Sequence, residues 1–241
     1  MNGNDLDKKI KELPVMQEFN TNAKNFSESN LPMSAKALAT YSLKLQYISN
    51  SINLCKETGD YYSLCILFRS LLEHYFRHLY IYTRALEEDN DNVGIEYYGK
   101  LNGHEDLSFL KSNKTLNTKL DGKKSIWNLG GEHNENLDDI GRKFKINSIL
   151  AYLNEFIKED EEIESISRKI FNKYSQHYAR LSSFVHGGPF AEKYIKMYSE
   201  NKTGKEKDME YLYNETNILT NQARRSTSLF IKLTTLESDT I

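Results

Sequence analysis

The chain has 241 residues, of which 39% are hydrophobic and 27% charged, and its formal net charge is −2. That length and balance suit a globular protein whose core needs no covalent staples, and they exclude a strongly basic coat that binds nucleic acid by charge alone. Two cysteines, Cys55 and Cys65, exclude a disulfide framework, and no histidine accompanies them at zinc-module spacing. The segment from Met1 to Lys9 lacks an apolar signal core, and no run of about 18 apolar residues occurs, so a cytoplasmic protein without a membrane span is expected.

Prolines stand only at 14, 32 and 189. Apolar residues recur at helical spacing, so the expected fold is all-α, an antiparallel bundle of about five to six helices. Residues 1–33 read as a polar N-terminal arm, and residues 34–241 as one helical domain with an irregular insertion at about 90–140. The first long helix is expected from about Ser34 to Glu57, where Leu38, Tyr41, Leu45, Ile48, Ile52 and Cys55 share a face and Gly59 supplies the stop. Asp60 offers an N-cap to a second helix, about Tyr61 to Glu88, with Leu64, Phe68, Leu71, Tyr75, Leu79 and Tyr82 on its inner face. So short a link predicts a helical hairpin.

From Glu87 to about Asp139 the periodicity fails. An acidic run, then Gly94, Gly99 and Gly103, then a basic patch of Lys111, Lys114, Lys119, Lys123 and Lys124 predict a long insertion, anchored by Trp127. A third long helix is predicted through Ile146, Ile149, Leu150, Leu153, Phe156 and Ile157, and the acidic run Glu159 to Glu162 suits the start of a fourth. That fourth helix carries Ile166, Ile170, Tyr174, Tyr178, Leu181 and Val185 on one face. It ends at Gly187 and Gly188, which accept left-handed torsions, before Pro189. A short fifth helix (about Phe190 to Glu200), a polar turn at Asn201 to Lys205 and a last helix from Asp208 to about Leu236 complete the chain.

Chemistry-bearing residues concentrate on the second and fourth helices. Arg69, Glu73 and Arg77 recur at i, i+4 and i+8. On a solvated face such pairs form a charge ladder worth about 0.2–0.5 kcal/mol each. Here Phe68, Leu71 and Leu72 flank them, and a partly buried Arg–Glu pair is a poor source of stability, which points to an orienting role. His74 and His78 have a spacing that zinc accepts, but Tyr75 stands where an intervening glutamate would follow the first histidine and no third ligand is evident, so no metal is expected. Arg180 and His186 mark the end of the fourth helix, about 120° apart around its axis and about 9 Å along it. Long side chains at those positions can converge on one phosphate-sized anion, and the carbonyl dipoles of the helix end favour positive charge at His186. The plainer alternative is that His186 caps the helix and Arg180 is a solvated cation. If the first hairpin packs on the fourth helix, Arg69, Glu73, Arg180 and His186 meet in one polar pocket. A histidine that exchanges a proton beside arginines that hold phosphate suffices for metal-independent cleavage of RNA by its own 2′-hydroxyl.

Arg180-x5-His186 resembles the R-x4-6-H signature of the HEPN superfamily, helical proteins that include many prokaryotic ribonucleases and defence toxins. Arg69-Ser70-Leu71-Leu72-Glu73-His74 is similar to the arginine-plus-glutamate helix of HEPN-like bacterial families, and Tyr178-x2-Leu181-Ser182-x2-Val185-His186 to their later histidine motif. The likeness covers about residues 34–89 and 143–190. It implies a metal-independent endoribonuclease in a toxin or anti-phage role, with His186 as general acid and base, Arg180 and Arg69 on phosphate and Glu73 orienting. RNA is the implied partner, no cofactor is implied, and a homodimer would bring its two motifs near the interface. Many members of the superfamily have lost catalysis, so the resemblance equally admits a non-catalytic module that binds a nucleotide or a partner protein. Two departures stand out. Leu181 follows the motif arginine where a polar residue is usual, and Arg69-x4-His74 fits the same signature. The glycines beside His186 favour the later pair, because backbone there can approach a ligand closely.

Overall fold

A computed structural model of the chain describes residues 28–101, 135–158 and 161–236. Among them the secondary structure is helical and no strand occurs. Helix α1 (Pro32–Thr58) and helix α2 (Tyr61–Glu88) are followed by α3 (Asn92–Ile95), which runs into a π-helical turn at Glu96–Leu101. Then come α4 (Glu135–Lys143), α5 (Ile146–Lys158), α6 (Glu161–Val185), α7 (Pro189–Glu200) and α8 (Lys202–Leu236). The all-α expectation is met. The basic patch from Lys111 to Lys124, Trp127 and the N-terminal arm up to residue 27 lie outside the described residues.

Helix α2 is the central rod of the bundle, because α1, α5, α6 and α8 all pack against it. Leu64, Phe68, Leu71, Leu72, Phe76 and Ile81 are fully buried along it. Each such side chain contributes about 1.5–3 kcal/mol relative to exposure. Its start is written locally: the Asp60 carboxylate accepts a hydrogen bond from the Ser63 N–H at 3.1 Å. The end of α1 is local too, with Gly59 in the left-handed region at φ 70°.

The start of α1 is not local. Pro32 occupies its first turn and Leu31 offers no side-chain cap. Asp91 reaches in from 57 and 58 residues away and accepts from the N–H groups of Ser34 at 2.7 Å and Met33 at 2.8 Å. Gly94 follows so closely that a Cβ there would stand 2.2 Å from the Ser34 nitrogen. The acidic, glycine-bearing stretch expected to be irregular therefore opens as a cap on the first helix. A second difference is the start of α8, which lies inside the expected polar turn. The Asn201 side chain accepts from the Gly204 N–H at 2.9 Å and so initiates the helix at Lys202.

Helix α6 is clamped between α2 and α8. Arg69 of α2 donates to the Tyr178 hydroxyl at 2.7 Å. From α8, Glu215 accepts from the Tyr174 hydroxyl at 2.7 Å and pairs with Lys173 at 2.8 Å. The Tyr62 hydroxyl donates to the Phe184 carbonyl at 2.7 Å and pins the end of α6 over the start of α2. Gly187 takes φ 62°, the Gly188 N–H returns to the Ser183 carbonyl at 2.9 Å, and Pro189 becomes the first residue of α7. The proline that cannot continue one helix is preorganised to begin the next. No helix among the described residues is long and apolar enough to cross a membrane.

Candidate functional site

Two polar clusters lie on different sides of α6. In the first, Glu73 accepts from Arg69 at 2.8 Å through one carboxylate oxygen and from Arg77 at 2.9 Å through the other, with the three side chains only 20–23% exposed. Arg69 also stacks on Tyr178, its guanidinium 4.7 Å from the ring centroid. The Nε atoms of Arg69 and Arg77 are buried without a hydrogen-bond partner. Beside them His74 packs 5.8 Å from the Tyr41 ring. Burial, reinforced by the charges of Lys44 and Arg77, lowers the His74 imidazole to about 4, so it is neutral at pH 7. One turn on, His78 is fully buried, shares a 2.9 Å hydrogen bond with the Thr227 hydroxyl of α8, and is lowered by burial to about 3. The two histidines of the zinc-like spacing thus serve different neighbours. Cys65 is a core thiol, pushed up to about 12 by burial.

Arg180 belongs to the second cluster. It is two residues from Tyr178, about 200° around the helix, and so emerges on the side away from Arg69. Its guanidinium lies 4.8 Å from the Tyr194 ring centroid and 5.4 Å from that of Phe190, both on α7. Among the described residues it has no ion pair and no hydrogen bond. A small cavity of about 90 Å³ opens beside it, bounded by His177, Tyr194, Asp208, Tyr211 and Leu212 among others. The Asp208 carboxylate is engaged by the Tyr198 hydroxyl. His177 shares a 3.1 Å hydrogen bond with the Tyr211 hydroxyl and meets Phe68 edge-on. Burial, then the charges of Lys173 and Arg180, lower its pKa.

His186 is exposed at the end of α6. Its backbone N–H bonds to the Ser182 carbonyl at 3.2 Å, while its side chain makes no hydrogen bond, ion pair or ring contact with a described residue. Leu181, the departure from the HEPN pattern, is buried on the inner face with Tyr174 and Tyr178, where a polar side chain would need a partner. The structure therefore brings Arg69 and Glu73 together, sets Arg180 in a separate cleft and leaves His186 in water. No described contact joins the three locations. His177 and Tyr211 carry the cleft without having been singled out from sequence. The i, i+3 spacing of His177 and Arg180 was a usable signal, whereas Tyr211 comes from 34 residues away and had none.

The chain matches no family model, no curated protein and no solved structure.

Proposed function

We propose that the chain is a HEPN-like protein that acts on RNA as a metal-independent endoribonuclease, in a toxin or anti-phage role, with Arg180 holding the scissile phosphate. The observation that supports this reading is the condition of Arg180. Two aromatic rings stack on its exposed guanidinium, no described carboxylate pairs with it, and it borders a cavity also lined by the His177 imidazole, whose pKa burial lowers. The planar fork of an arginine matches two phosphoryl oxygens, and the absence of an internal partner leaves that fork available. In the reaction the 2′-oxygen attacks the adjacent phosphorus as its proton passes to a base. The bond from phosphorus to the 5′-oxygen breaks, giving a 2′,3′-cyclic phosphate and a 5′-hydroxyl that has gained a proton. Proton transfer of this kind contributes about 10²–10⁴-fold. The HEPN motif assigns it to His186, and a homodimer of this chain would add a second copy of the motif.

A second reading is a non-catalytic module that binds a nucleotide or a partner protein through the same cleft. One observation favours it: His186 has no orienting hydrogen bond, and an effective general base is held in position. Incubating total RNA and tRNA with purified protein in EDTA, wild type beside Arg180→Ala and His186→Ala, separates the two. Cleavage that Arg180→Ala abolishes, with fold and oligomeric state retained, supports the ribonuclease. Nucleotide binding without any wild-type cleavage supports the module.

A further inference from the structure

Two histidines stand near Arg180 in the sequence, His177 on α6 and His186 just past its end, and their surroundings are opposite. His177 precedes Arg180 by three residues, which places the two side chains about 60° apart on one face and about 4.5 Å apart along the axis. Both border the cavity between α6, α7 and α8. His186 lies nine residues beyond His177, about 180° around the helix and about 13.5 Å along it. A phosphate in the cavity therefore meets His177 and not His186.

His177 also has the orienting contacts that His186 lacks. Its Nε2 is bound to Tyr211 and its ring is braced by Phe68. Its Nδ1 bonds to no described residue and is not among the unpartnered polar atoms sealed from solvent. That nitrogen is the one left for a ligand.

We infer that the cleft between α6, α7 and α8 is an anion site for a phosphate monoester or diester, in which Arg180 takes the phosphoryl oxygens and His177, rather than His186, exchanges the proton. The inference rests on reading Arg180 as a phosphate ligand, and it does not require that RNA be cleaved. Two cations and two carboxylates surround the ring. Lys173 and Arg180 face it from α6, while Asp208, Glu215 and the Tyr211 hydroxyl face it from α8; α2 adds Phe68 and Tyr61, and α7 adds Tyr194. Glu215 is held by Lys173 and Tyr174, and Asp208 by Tyr198, so neither carboxylate is bonded to Arg180. An anion arriving beside His177 supplies the negative charge that raises the proton affinity of its imidazole. On a diester of RNA, Nδ1 takes the proton of the 2′-hydroxyl as the 2′-oxygen bonds to phosphorus. The 5′-oxygen leaves as its bond to phosphorus breaks and gains a proton from water.

The test is imidazole NMR of the full chain, its six histidines assigned by single substitutions, titrated with inorganic phosphate. The expected result is a saturable shift at His177, a titration of that ring displaced to higher pH, and loss of both effects in Arg180→Met. A shift at His186 without one at His177 overturns the proposal, as does the lack of a saturable shift at any histidine. Where the wild type cleaves RNA, His177→Gln is expected to lose roughly 100-fold or more of the rate; a smaller loss removes the proton-transfer role. A His177 shift in a protein that leaves RNA intact keeps the anion site and removes only the ribonuclease reading, so the two failures are told apart.

Discussion

Glu73 decides whether the polar face of α2 is a site or a joint. One carboxylate holds two arginines, and Arg69 spends its remaining terminal nitrogen on Tyr178. A pair so fully engaged inside the protein ties α6 to α2 more readily than it grips a ligand. Glu73→Gln leaves two partly buried guanidinium groups facing each other without a carboxylate, and is expected to cost about 1–3 kcal/mol. Tyr178→Phe removes one hydrogen bond and is expected to cost about 1 kcal/mol. Both appear as lower urea midpoints at unchanged slope. Unchanged stability in Glu73→Gln, with phosphate binding lost, would return Arg69 and Glu73 to the role the HEPN resemblance gives them. The sequence made Arg69 and Glu73 conspicuous because their spacing is local. Their partner lies 109 residues away, and no local pattern announces it.

Among the elements, the start of α1 depends most on the rest of the chain. The N–H groups of a helix's first turn need acceptors, and Pro32 removes only one of them. Asp91 supplies both of its oxygens, so Asp91→Ala is expected to cost about 1–2 kcal/mol, the range of a lost N-cap. Hydrogen exchange at the Met33 and Ser34 amides is the specific readout, with protection there falling more than in the middle of α1. Gly94→Ala tests the same junction from the other side. The added Cβ meets backbone that cannot swing away, and the expected loss is about 1–3 kcal/mol; a variant as stable as wild type would show that α3 can lift off α1. Helices α2 and α7 begin where Asp60 and Pro189 place them, because those signals act over a few residues. The cap on α1 was hidden in a run of acids and amides that resembles any surface loop.

At the scale of the molecule, the bundle is sealed around neutral imidazoles. His78 of α2 bonds the Thr227 hydroxyl of α8, which also bonds Ser42 of α1 at 2.8 Å, so one buried ring sits where three helices meet. In the unfolded chain a histidine accepts its proton near pH 6.5, whereas folded His78 waits until about 3 and His74 until about 4. Between those limits the unfolded state binds more protons, so stability is full above about pH 6.5 and declines as pH falls, by about 1.4 kcal/mol per pH unit for one fully buried histidine. His177, lowered in the same sense, adds to the decline. Asp60 and Glu96 are also lowered in the folded state, but carboxylates unfold their contribution only near and below about pH 4. Loss of stability between pH 6.5 and about 5 therefore belongs to the histidines. Urea unfolding across that interval is expected to show the decline in wild type. His78→Gln is expected to shed about 1.4 kcal/mol per pH unit of it, whatever the substitution costs at pH 7.5. A wild type equally stable at both ends, or a variant with the wild-type slope, would mean that water reaches the ring and that the three-helix junction is open.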